Sequence, residues 1–341
     1  MKKILKWASQ YQVFAFFVIT YTLTWGLSFS YRAVLQQGRV LLLPLAFIAT
    51  CGPGLAGIIV SIVANPKCRQ GFRKEFLVAF VVAWLVAILI NLANQKFIEN
   101  MPFSTGLVGL FIVSIIPVAF VVASSFSPNP LVRSYLSSLV MVRGVWRRTI
   151  FAFVMGFAFT LISIPIGSIL GLRPVSSYQL PELSPTLIGL VIVKFLYQLL
   201  FFNATGEETG WRGFAMPRMQ SKISPLLASI IIGVFWALWH LPLWQAEGRP
   251  VGSIEFWVEM LIAHILFSVI TVWFCNRANG SIFVAGVAHA TINTAQAFIP
   301  VGSPLLVTFA FVATGMIFLD RMWEKLPSDH PAVYNNLGID I

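Results

Sequence analysis

The stretch Leu187-Ile-Gly-Leu-Val-Ile-Val-Lys-Phe-Leu-Tyr-Gln-Leu-Leu-Phe-Phe202 is apolar apart from Lys194 and Gln198. It runs without a break into Asn203-Ala-Thr-Gly-Glu-Glu-Thr-Gly-Trp-Arg-Gly-Phe-Ala-Met-Pro-Arg-Met-Gln220. Two adjacent carboxylates, Glu207 and Glu208, and the guanidinium of Arg212 therefore stand at or near the end of a hydrophobic helix. An ionised group there costs about 3 kcal/mol or more unless it is paired or wet, which makes such residues functional candidates.

The rest of the chain is equally apolar. Its 341 residues are 58% hydrophobic and only 10% charged, with a mean hydropathy of +0.84. This composition excludes a water-soluble globular domain. The apolar runs lack the alternation of barrel strands, and only helices or closed barrels satisfy backbone hydrogen bonds in lipid. The expected fold is all-α, a polytopic transmembrane helical bundle in the cell membrane. About ten spans are expected, at 13–35, 41–64, 76–94, 106–126, 150–171, 185–216, 225–246, 255–275, 281–300 and 303–320. Losing 76–94 and 106–126 together leaves eight, with those residues as a re-entrant hairpin. Ser184-Pro185, Ser224-Pro225 and Ser303-Pro304 each place a capping hydroxyl before a proline at a helix start.

The net charge of +11 arises from basic residues scattered through short loops, so it reads as membrane topology, and no nucleic-acid partner is expected. With the amino terminus inside, cytosolic segments hold seventeen basic residues: Lys2, Lys3, Lys6, Lys67, Arg69, Arg73, Lys74, Arg133, Arg143, Arg147, Arg148, Arg212, Arg218, Lys222, Arg277, Arg321 and Lys325. Outside segments hold five: Arg32, Arg39, Lys96, Arg173 and Arg249. That asymmetry predicts both termini in the cytosol. No small-residue cleavage site follows Lys2, Lys3 and Lys6, so the first helix is expected to be retained. Cys51 and Cys275 lie in apolar runs and read as small core residues; with Cys68 they form no metal-ligand spacing.

Three segments are expected. Residues 1–148 form the amino-terminal helices and a loop, Ser127 to Arg148, lying on the anionic inner leaflet; 149–322 form the working core; 323–341 form a polar, frayed tail.

Polar groups gather on three helices of that core. Glu208 and Arg212 are four apart and can pair on one helix face, which leaves Glu207 free as a base. His240 follows Phe235, Trp236 and Trp239 and precedes Pro242; His289 and Asn293 are again four apart. A helical rise of about 1.5 Å per residue puts Glu207 about 15 Å from the cytosolic hairpin between Pro217 and Pro225, and His240 about 22 Å from it. By the same rise His289 and Asn293 lie about 12 and 18 Å from Gly280. One shared layer points to one buried site. Glu255 and Glu259 read as a solvated helix start; His264 can stand behind the site or apart from it.

Glu207-Glu208-Arg212, Trp236-His240 and His289-Asn293 resemble the EExxxR, FxxxH and HxxxN motifs of the CAAX prenyl protease and bacteriocin-processing family of intramembrane proteases. The resemblance covers roughly Ser184 to Phe298, with Trp236 where the family has phenylalanine. It implies an intramembrane endopeptidase acting on a membrane-associated peptide or protein near the cytosolic leaflet. Glu207 and His240 would activate water, His289 and Asn293 would stabilise the oxyanion, and Glu208, Arg212 and Trp236 would orient these groups or grip substrate. Eukaryotic relatives act on prenylated carboxyl-terminal motifs, whereas peptide maturation or membrane-protein cleavage is expected here. A metal-independent glutamate mechanism is favoured; Glu207, His240 and His289 could alternatively supply three ligands to zinc. Two other classes compete. A catalytically silent scaffold or immunity protein would bind a peptide in the same cavity, and a secondary transporter would need matched polar interruptions in two halves.

Overall fold

The computed structural model describes residues 7–64, 73–172, 174–178 and 180–334, so Lys2, Lys3, Lys6, Lys67, Cys68, Arg69 and Arg173 lie outside the described residues. Among the described residues every regular element is helical. In chain order they are α1 Gln12–Gly26, α2 Phe29–Leu35, α3 Leu43–Thr50, α4 Gly52–Ala64, α5 Lys74–Phe97, α6 Thr105–Ser114, α7 Ile116–Ala123, α8 Pro130–Val140 and α9 Trp146–Ile169. Then follow α10 Pro185–Gln220, α11 Pro225–Trp239, α12 Leu241–Ala246, α13 Ile254–Arg277, α14 Ile282–Phe298 and α15 Ser303–Leu319.

The chain is a multi-pass membrane protein. Among the described residues seven helical stretches are long and apolar enough to cross a bilayer, and an eighth is added if Val40–Thr50 and Gly52–Ala64, bent by 55° at Cys51, act as one span. Two of the ten expected spans, 281–300 and 303–320, form helices shorter than these. The stretches at 74–97 and 105–126 are the most apolar of all, with hydropathy 2.7 each. The short ones are α14 and α15, at 17 residues each. Such a helix is roughly 26 Å long by its rise, less than a hydrocarbon core of about 30 Å. Polar Thr291, Asn293, Thr294 and Gln296 on α14 suit its place inside the bundle, where most of its residues are buried.

Helix starts follow the sequence at two of the three Ser-Pro sites. The hydroxyls of Ser184 and Ser224 accept from the amides of Leu187 and Leu227. Ser303 differs: it is the first helical residue, and the cap position falls on Gly302, whose φ of 70° no side chain adopts comfortably.

Two further expectations change. The segment from Ser127 to Arg148 is not a loop spread over the leaflet: Asn129 caps α8, whose Val132, Leu136 and Leu139 bury against Ile58, Val121, Ala204 and Ile282. The described part of the carboxyl-terminal tail, as far as Tyr334, also docks. Gln220 donates to the Ala332 carbonyl, the Tyr334 amide donates to the Pro217 carbonyl, and the Arg218 guanidinium lies between the rings of Phe214 and Tyr334 at 3.7 and 3.9 Å.

These contacts belong to one end of the bundle, the Lys222 end, where Ser9 also meets Ala64 and the Leu226 amide donates to Met322. At the other, the Arg249 end, Gln36 donates to the Ala246 carbonyl at 2.8 Å.

The centre of the molecule is the middle of α10. From Gln198 to Ala215 it widens into a π-helix, and nearly all of that stretch is buried. π turns inside α-helices are uncommon and cluster at functional sites. Close packing holds the widened turn: a Cβ at Gly210 would lie 2.4 Å from the Pro53 side chain and 2.6 Å from the Pro53 carbonyl oxygen on α4. Gly210→Ala is therefore expected to lower stability by about 1–3 kcal/mol through overpacking. Gly189→Ala, with nothing within 4 Å, is expected to hold or slightly raise it; thermal unfolding of both variants in detergent checks the contrast.

Candidate active site

Two carboxylates one residue apart meet different surroundings. Glu208 is fully buried, and its Oε1 accepts from Arg212 Nη1 at 3.1 Å and from His289 Nδ1 at 2.8 Å. Arg212, also fully buried, donates a second short bond to Thr271 Oγ1 on α13 and lies 4.5 Å over the Trp236 ring. The pair is thus desolvated but satisfied on both sides, the condition under which buried ions are tolerated.

Glu207 turns away from this pair toward α11. Its Oε2 accepts from Trp236 Nε1 at 2.6 Å, so it is not free of partners, and it lies 4.0 Å from His240 Nε2. Pro242 sits in the first turn of α12 and α11 ends at Trp239, so His240 stands at the corner between the two helices. Its Nδ1 is 2.9 Å from the Trp236 carbonyl oxygen. A carbonyl can only accept, so Nδ1 carries a proton, and Nε2 is the ring nitrogen turned toward Glu207.

Aromatic rings fix the imidazoles. His240 stacks on Trp244 at 5.2 Å and meets Trp239 edge-on at 4.7 Å. His289, 3% exposed, is edge-on to Trp236 and Phe267. His264 joins the cluster at 4.9 Å from His240 and 5.1 Å from Trp236, with Nδ1 on the Met260 carbonyl. Glu255 and Glu259 stay exposed at the start of α13.

A cavity of about 650 Å³ reaches Glu207, His240 and Asn293 from the Arg249 end. Its walls include Thr24, Tyr31 and Phe47 from the amino-terminal helices. His289 is not among its lining residues, so the two members of the His289-Asn293 pair occupy different positions: Asn293 faces the cavity and His289 faces Glu208. A larger groove of about 800 Å³ lies between Val78, Val82, Val122 and Phe126, but it contains none of these groups.

Reading the sequence missed Thr271 as the second partner of Arg212, and it missed Thr24, which accepts from Trp239 Nε1 at 2.8 Å. A hydroxyl inside an apolar run was the available signal. Also unforeseen was the bond that Trp236 makes to Glu207, which a phenylalanine could not make.

The site defines a class: a polytopic helical membrane protein with a buried carboxylate–imidazole–arginine cluster at the base of a cavity. Residues 187–295 match the family described as type II CAAX prenyl endopeptidase Rce1-like. The chain is also similar to CAAX prenyl protease 2 of Methanococcus maripaludis, 29% identical over 269 residues that cover 77% of this chain and 93% of the relative. Both matches agree with the resemblance of the motifs to the CAAX prenyl protease and bacteriocin-processing family.

Breaking a buried ion pair costs about 3–5 kcal/mol. Arg212→Met, which strands Glu208, is expected to lose stability on that scale. Arg321→Ala, at the exposed Arg321–Glu324 pair, is expected to leave thermal unfolding unchanged.

Proposed function

We propose that the protein is an intramembrane endopeptidase in which Glu207 is the general base for attack of water on a peptide bond of a membrane-associated protein or peptide. The observation that carries this reading is the 4.0 Å separation of Glu207 Oε2 from His240 Nε2 at the base of the cavity, where a neutral ring protonated on Nδ1 presents Nε2 as an acceptor. A water held there donates one hydrogen to each acceptor, which points its lone pair into the cavity; Glu207 then takes the proton as the oxygen bonds to the scissile carbonyl carbon. Asn293 supplies a donor from the cavity wall to the developing oxyanion. His289 acts from behind, its ring held by Glu208. The family match and the name of the methanogen relative support proteolysis as the reaction class.

The reading is metal-independent. Zinc analysis of the purified protein tests this: stoichiometric zinc lost together with activity would contradict it.

Terminal-peptide proteomics of membranes from cells expressing the wild type or Glu207→Gln tests the activity itself. New termini are expected only with the wild type; identical profiles at matched expression would favour a peptide-binding scaffold. Once a substrate is in hand, Trp236→Phe is expected to fold but to turn over about ten- to a hundred-fold more slowly. That range corresponds to one hydrogen bond to a charged group, roughly 1.5–3 kcal/mol.

A further inference from the structure

Four side-chain amides line the cavity: Gln198 and Asn203 from α10, Asn293 and Gln296 from α14. Their circumstances differ. Gln296 is committed to the fold, its Nε2 donating to Thr160 Oγ1 at 3.1 Å and its Oε1 accepting from the Val301 amide at 3.3 Å. Asn203 is the opposite case. It has no exposure, and among the described residues neither its Nδ2 nor its Oδ1 has a hydrogen-bond partner. Buried amides are normally paired, because a donor or acceptor left unmade costs the fold more than a made bond returns. An amide kept unpaired in the wall of a cavity is suited to a ligand that enters it.

The chemistry of that ligand follows from the group. A primary amide presents an acceptor and donors side by side, and it carries no charge. In an extended polypeptide the N–H and C=O of one residue point to the same side, where a neighbouring strand meets them with the complementary pair. The Asn203 side chain can make the same two bonds. Its place on α10 sets which residue it meets. Asn203 stands four residues before Glu207, about 6 Å along the axis at about 1.5 Å per residue. An extended chain advances about 3.3 Å per residue. A chain lying along α10 with its scissile carbonyl over Glu207 therefore presents to Asn203 a residue within about two of that bond. Tyr197 and Phe202 line the cavity close by in sequence, and apolar surroundings strengthen hydrogen bonds made among them.

We propose that Asn203 is a substrate-binding residue whose amide brackets the backbone N–H and C=O of one residue of an extended peptide beside the scissile bond. A chain pressing into the cavity parts the side chains that cover the amide and supplies the two bonds it lacks. Because both bonds go to backbone, Asn203 sets the register of the substrate and leaves the choice of side chains to the rest of the wall. This deepens the protease reading and rests on it.

Two readouts test the assignment. Asn203→Leu keeps the shape and removes both polar atoms. It is expected to unfold in detergent at the wild-type temperature or above, because the free protein loses no hydrogen bond. Unfolding several degrees lower would show that the amide supports the fold, and would overturn the proposal whether or not a substrate is known. The second readout uses a synthetic peptide spanning the cleavage site that terminal-peptide proteomics identifies, and a series in which each backbone N–H near that site is replaced in turn by an ester oxygen. The wild type is expected to lose about ten-fold in kcat/KM at one position beside the scissile bond. Asn203→Leu, already about ten-fold or more slower on the parent peptide, should be indifferent to that replacement. Asn203→Ala repeats the comparison should the Leu variant fail to fold. Asn91→Leu, at another buried and unpartnered amide on α5 outside the cavity wall, is expected to keep the wild-type turnover. Unchanged kcat/KM in Asn203→Leu, or equal sensitivity of the variant and the wild type to every ester, overturns the proposal. Absence of new termini sinks the protease reading; new termini with wild-type turnover by Asn203→Leu sinks this assignment alone.

Discussion

The interaction on which the structure depends is the buried pair of Glu208 and Arg212. Neither residue has any exposure, and an unpaired charge at that depth would cost several kcal/mol. Their attraction alone does not offset desolvation; the remaining hydrogen bonds to Thr271 and His289 help to do so. Those partners come from α13 and α14, so the pair ties three helices together at one level of the bundle. The π-helical widening of α10 and its tight seat against Pro53 belong to the same arrangement, since both set where residues 207–212 point.

Satisfying Glu208 inward releases Glu207 to face α11 and the cavity. Trp236 links the two carboxylates: its N–H holds Glu207 while its ring face meets Arg212. A single indole thereby couples the packing of the ion pair to the position of the proposed base. The amino-terminal half is not a passive anchor, because Thr24, Tyr31 and Phe47 complete the cavity around groups supplied by the second half.

Much of this was legible in the sequence. Composition and apolar run lengths gave a helical membrane bundle, and the i, i+4 spacing of Glu208 and Arg212 gave their pair, because local geometry governs both. The layer shared by Glu207, His240 and His289 followed from rise per residue. Contacts set by tertiary packing were less accessible. Thr271 and Trp236 reach the carboxylates from other helices, and nothing local announces that an indole N–H will point at Glu207. The amphipathic face of α8 could have signalled docking, but its arginine-rich surroundings made a surface loop the simpler reading. The expected spans at 281–300 and 303–320 are present as α14 and α15, each of 17 residues and so shorter than the other long helices. The end at which the cavity opens needed the arrangement of helix ends and walls together.

The central claim is a division of labour between adjacent carboxylates, Glu208 holding the fold and Glu207 doing the chemistry. Measuring thermal stability and cleavage rate side by side for Glu207→Gln and Glu208→Gln tests it most directly. The account predicts that Glu207→Gln keeps the wild-type unfolding temperature, since an amide oxygen can still accept from Trp236, and loses about 10²–10⁴-fold in rate. Glu208→Gln should instead destabilise the protein by about 3–5 kcal/mol by stranding Arg212. Equal effects of the two substitutions on stability, or near-wild-type cleavage by Glu207→Gln, would contradict it.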